Sequence, residues 1–148
     1  MFDNKASTLN DLIATTIDSA KGYEDAAEDA SNQRYAMMFR ERAQERRNAV
    51  VELRAEVRRL GEEPEDDGTI LAGAHRMFMD LKQAVVGNDD KAIVQEVERG
   101  EDHIKAKYEE ALKKDDLDPA SRSAIEKAWT SVKQGHDQMS ALKHRLES

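Results

Sequence analysis

Three side chains with chemistry of their own fall on faces that are otherwise apolar: Arg46, Glu101 and His136. At about 100° per residue, Tyr35, Phe39, Ala43, Val50, Leu53, Val57 and Leu60 form one stripe, with Arg46 near its centre and Arg42 at its edge. Glu101 lies within the stripe Ile93, Val94, Val97, Ile104, Tyr108 and Leu112. His136 lies within the stripe Ile125, Ala128, Trp129, Val132, Met139 and Leu146. A carboxylate and an imidazole facing inward from neighbouring helices are components of a metal centre. A dimetal centre in a helix bundle, however, takes a Glu from each of two helices and a Glu-x-x-His pair from each of the other two. No Glu-x-x-His occurs in the chain: Lys133 stands three residues before His136, and Glu45 is followed three residues later by Asn48. Arg46 places a permanent cation where a ligand is needed, and there it serves Glu101 as a hydrogen-bonded counter-ion. The expectation is a core polar network of Arg46, Glu101 and His136 near Tyr23, standing where a metal site would be. Glu24, Glu101 and His136 are the residues left for the alternative, with iron or manganese as the ion. No catalytic residue and no cofactor is expected.

These residues can meet only if the elements carrying them align. Thr8 and Asp11 make a capping-box pattern, so a first helix is expected from Thr8 to Ala30, with Leu9, Leu12, Ile13, Thr16, Ala20, Tyr23 and Ala27 facing inward. Ser31 and Asn32 break it. A second helix runs to Leu60, where Gly61 supplies a left-handed cap and Pro64 stops continuation. Thr69 opens a shorter helix that ends near Gly87. Asn88 caps the next, with Asp89 and Asp90 in its first turn, and it lasts to Lys114. Asp118 and Pro119 then open the last helix as N-cap and first residue. If the helix over 69–87 carries the chain back along the bundle, helices 2 and 3 run parallel. Arg46 and Glu101 then share a level, and His136 lies within about 8 Å of it at a rise of about 1.5 Å per residue. Gly100 and Gly135 precede Glu101 and His136, and are expected to let the two helices approach there. The fold expected is all-α, a ferritin-like four-helix bundle with an additional crossover helix between helices 2 and 3, and residues 1–148 form one domain.

The composition agrees and narrows function. Charged residues make up 36% and aromatic residues 5%, with only 7 Gly and 2 Pro, which suits amphipathic helices rather than a sandwich of short strands. A net charge of −8 offers no basic field for a phosphate backbone, so no nucleic acid is expected as a partner. The absence of cysteine removes thiolate chemistry and disulfides. With no apolar run of membrane-spanning length and no signal-like start, a cytoplasmic protein that meets no membrane is expected.

Other candidates read as packing or solvated surface. His75 borders the stripe Leu71, Ala74, Phe78, Leu81 and Val85, while His103 and His144 face outward. The acidic run Glu24, Asp25, Glu28 and Asp29 reads as solvated, except that Glu24 borders the core and is expected to reach Arg42 or Arg46. Met37, Met38, Met77 and Met79 read as packing. Ser140 stands one turn from His136 without a Gly-x-Ser-x-Gly context, and no Gly-rich phosphate loop occurs.

Several stretches together carry a resemblance: Leu9-Asn10-Asp11-Leu12-Ile13, Gly22-Tyr23 with Ala26-Ala27-Glu28-Asp29, His75-Arg76 with Asp80-Leu81-Lys82, Glu98-Arg99-Gly100-Glu101-Asp102, and His136-Asp137. They resemble an uncharacterised bacterial family of ferritin-like four-helix-bundle proteins known as a domain of unknown function. Phe78 stands where a tryptophan is expected in that family. The resemblance implies a fold and a bacterial source but no activity. The leading expectation is a non-enzymatic, stress-associated bundle protein acting through its surface, a protein partner or a homo-oligomer. The alternatives are a metal-binding protein or redox enzyme, and a helical interaction module, to which Val51, Met77 and Val86, all off the core stripes, give a faint hint.

Overall fold

The computed structural model describes residues 4–65 and 90–147. These form four helices: α1 (Asn4–Asp29), α2 (Gln33–Arg59), α3 (Asp90–Leu112) and α4 (Pro119–Glu147). The helix expected over 69–87 and the Asn88 cap lie outside the described residues.

The helix ends follow from capping chemistry. Asn32 adopts an extended backbone (φ −80°, ψ 120°), and its side-chain oxygen accepts from the backbone N–H groups of Arg34 and Tyr35, opening α2. At its far end Gly61, at φ 82°, donates to Arg58 O, and Glu62 donates to Val57 O, the paired bonds of a Schellman motif. Asp118 accepts from Ala120 N at 2.9 Å and Pro119 occupies the first helical position of α4. Helix α1 starts a turn earlier than its capping-box pattern suggests. Ala6 is already buried, so the inward face extends beyond Thr8, whose hydroxyl accepts from Lys114 Nζ at 3.0 Å. Helix α3 ends at Leu112, slightly short of Lys114.

Cross-helix bonds fix the directions. Thr16 meets Tyr108, and Tyr23, further along α1, meets Glu101, earlier on α3, so α1 and α3 are antiparallel. Glu45 meets Ser131 and Glu56 meets Ser121, so α2 and α4 are antiparallel as well. With short turns joining α1 to α2 and α3 to α4, α2 and α3 must run parallel. Their backbones do not approach closely, whereas α1–α2, α3–α4, α1–α3 and α2–α4 all pack side by side. Helices α2 and α3 therefore occupy diagonal corners. The ends joined by residues 60–89 lie at opposite ends of the bundle: α2 finishes beside Asp118, through Arg59, and α3 starts beside Ser31 and Asn32, through Asp90.

Along α2 the series 36, 39, 43, 46, 50, 53 and 57 is buried, with Ala49 and Glu56 buried beside it, and along α4 the buried series is 121, 125, 128, 132, 135, 139 and 142. Both alternate steps of three and four, the spacing that keeps one face of a helix toward its partners. The resulting core is two apolar halves. One gathers Leu9, Leu12, Ile13, Leu53, Tyr108 and Ile125 with their neighbours, and the other gathers Tyr23, Phe39, Ile93, Val94, Met139 and Leu142. A polar layer lies between them.

Candidate functional site

That layer is built around Arg46. Its position in the α2 repeat falls between Ala43 and Val50, so the helix points a guanidinium at the bundle axis and leaves it with no exposed surface. A cation so placed is tolerable only with a hydrogen-bonded counter-charge. Glu101, 1% exposed, supplies it from the diagonal helix: Arg46 Nη2 donates to both Glu101 oxygens, at 3.0 and 2.8 Å. Arg46 Nη1 donates to Ser19 Oγ at 2.7 Å. The Tyr23 hydroxyl donates to Glu101 Oε2, and the guanidinium carbon sits 5.4 Å from the Tyr23 ring centroid, within cation–π range. Phe39 packs against the same ring, tilted by 39° with centroids 6.0 Å apart.

The electrostatics hold each group in one state. Burial pushes the Tyr23 hydroxyl well above its ordinary pKa, and the charge of Glu101 adds to the shift while Arg46 opposes it. Tyr23 therefore stays protonated and able to donate. Burial alone would lower the Arg46 pKa, but attraction to Glu101 reverses the shift and raises it. Arg46 Nε is the only group of the layer without an acceptor among the described residues. Two helical turns from Glu101 and Tyr23, Tyr108 and Thr16 share a hydrogen bond of 2.8 Å, and burial pushes the Tyr108 hydroxyl up to about 12.

Gly135 makes the room. A Cβ there would stand 2.5 Å from Arg46 Nη2 and 3.2 Å from Glu101 Oε2. Gly100 plays no such part, since a Cβ there would meet nothing within 4 Å, which corrects the expectation that both glycines serve close approach.

The structure thus brings Tyr23, Arg46 and Glu101 together and leaves His136 out. The α4 repeat passes through Gly135, and His136, one residue on and about 100° round the helix, turns to the bundle flank. There its Nε2 lies 2.7 Å from Asp102 Oδ1 and its Nδ1 3.4 Å from Asp137 Oδ1. Glu24 reaches neither Arg42 nor Arg46. It pairs with Arg47 at 2.8 and 3.0 Å on the surface, because Arg47 is the α2 residue on that flank. Arg42 instead bonds Gln138 and Glu45.

Another buried carboxylate, Glu56, escaped the sequence reading. Glu56 accepts from Ser121 Oγ at 2.5 Å and from Arg59 at 2.7 and 2.9 Å, and Arg59 also reaches Asp118 at 3.1 Å. The Arg59 bonds, helped by Ser121 and opposed by burial, hold the Glu56 carboxyl below its ordinary pKa. Its signal was available: Glu56 adjoins Val57 at the end of the apolar repeat, facing the first turn of α4.

The core does not suit the pair of metal ions that bundles of this kind can hold. Among the described residues its buried carboxylates are Asp18, Glu56 and Glu101, and no histidine is buried with them. Glu101 already shares its oxygens between Arg46 and Tyr23, and Arg46 fills the charge space of a cation. The family model described as a domain of unknown function (DUF2383) matches residues 4–114. No curated protein matches the chain.

Proposed function

We propose, for a chain that belongs to the family described as a domain of unknown function (DUF2383), that it is a ferritin-like bundle whose core dimetal centre is replaced by the Tyr23–Arg46–Glu101 layer. Such a protein acts without redox chemistry in its core, through its surface as a protein partner or homo-oligomer. The parallel course of α2 and α3, which a crossover connection would produce, supports the ferritin-like reading. One observation carries the rest: the Arg46 guanidinium is fully buried on the bundle axis, bonded to Glu101 within space that Gly135 leaves free. A permanent cation in that place repels metal ions and consumes the carboxylate that would bind them.

The test is anaerobic titration of the purified chain with Fe²⁺ or Mn²⁺, followed by air and a measurement of iron oxidation. The expected result is no pair of ions in the core and no oxidation above the buffer rate. Uptake of two equivalents per chain, both lost in Glu101→Gln, would overturn the proposal.

A further inference from the structure

The flank that receives His136 holds a ligand set the core lacks. Glu98 and Asp102 stand one turn apart on α3, so both carboxylates face the same side. His136 reaches them from the antiparallel α4, and one ligand atom from each of the three lies within 4.8 Å of the others. Donors around a single first-row ion, each about 2.0 to 2.2 Å from it, stand roughly 3 to 4 Å apart, so small side-chain rotations close the set. The Glu98 and His136 side chains are 13% and 14% exposed and held by their helices, whereas Asp102 is 59% exposed and free to adjust. Asp137 beside Nδ1 leaves Nε2 facing the cluster, the arrangement in which an outer carboxylate orients a ligating imidazole. A solvent-open groove lined by Gln95, Glu98, Arg99, Asp102 and Lys143 gives water access to the remaining coordination positions.

We propose that Glu98, Asp102 and His136 form a mononuclear site for a divalent first-row transition ion, separate from the core layer and independent of it. One imidazole nitrogen with two carboxylates suits Zn²⁺ or Co²⁺ and disfavours Mg²⁺ and Ca²⁺, which prefer oxygen alone. Three protein ligands leave at least one position for water. Lys143 tunes the site. Its ammonium lies 3.6 Å from Glu98 and occupies that carboxylate until an ion displaces it.

Calorimetric titration of the full chain with Zn²⁺, and absorption titration with Co²⁺, test the site. One equivalent per chain is expected, with a saturable isotherm that millimolar Mg²⁺ does not displace. His136→Ala and Asp102→Ala each weaken binding at least about tenfold, since even outer-shell changes cost that much. Lys143→Met tightens it by roughly threefold to tenfold by removing a nearby positive charge. Glu101→Gln leaves it unchanged, which separates this site from the core proposal. Zn²⁺ affinity unaltered by His136→Ala, with the variant's circular dichroism matching the parent, overturns the proposal. So does a titration with no saturation, or loss of the ion in Glu101→Gln while His136→Ala retains it.

Discussion

Glu101 and Asp102 are neighbours on α3, and Gly135 and His136 are neighbours on α4, yet each pair divides between two environments. Glu101 and Gly135 face the axis, where the carboxylate has lost its water and survives by bonding Arg46 and Tyr23. Asp102 and His136 face the flank, where similar chemistry stays hydrated and can exchange partners. The axis fixes one arrangement because an unmet charge there costs several kcal/mol, while exposed ion pairs are worth at most about 1 kcal/mol. Charge at the axis is thus structural, and charge at the flank is available to a ligand.

Substitutions can break this contrast, and the largest effect belongs to Arg46. Arg46→Ala strands Glu101 and is expected to cost about 3 to 5 kcal/mol in urea unfolding, against less than about 0.5 kcal/mol for Asp102→Ala. Similar unfolding midpoints for the two variants would contradict the distinction. Tyr23→Phe keeps the ring and removes one donor to a charged acceptor, for an expected loss of roughly 1.5 to 3 kcal/mol by the same measurement. The two glycines should move stability in opposite directions. Gly135→Ala forces a Cβ against the guanidinium and is expected to cost about 1 to 3 kcal/mol. Gly100→Ala, in open space within a helix, should stabilise by about 0.5 to 1 kcal/mol. Loss of stability in both would mean that α3 and α4 are closer near Gly100 than its surroundings indicate.

Glu56 stands between the two cases, buried at its carboxylate but bonded to a half-exposed Arg59. Its pKa is lowered from 4.5 by the Arg59 bonds, so its contribution is present above the unfolded value and disappears as pH falls through the lower folded value. The urea midpoint should therefore drop on acidification below about 4.5, and Arg59→Ala should flatten that part of the curve. An unchanged acid limb in Arg59→Ala would remove Glu56 from the account.

Much of the axis could be read from pattern because Arg46 and Glu101 interrupt long apolar repeats, and two opposite charges at one depth have few partners to choose from. His136 was misplaced by one residue. Counting its apolar neighbours alone places it on the inward face, but the position that continues the alternating steps is Gly135, which has no side chain and so leaves no mark in a hydrophobic pattern. Ser19, Glu56 and Ser121 were missed for a related reason: a polar residue at a stripe edge looks the same whether it meets water or a buried partner. The four-helix architecture followed from capping residues that each do one thing, Asn32, Gly61, Asp118 and Pro119. Thr8 misled because its hydroxyl suits a cap, while burial of Ala6 draws the helix on past it.

Asp90 ties the first turn of α3 to the backbone N–H groups of Ser31 and Asn32, across 58 and 59 residues of sequence. Each antiparallel pair, α1 with α2 and α3 with α4, closes over a short turn and can form early, whereas this clasp can close only after the two pairs have met. Its strength should consequently register in how slowly the native chain opens rather than in how fast it assembles.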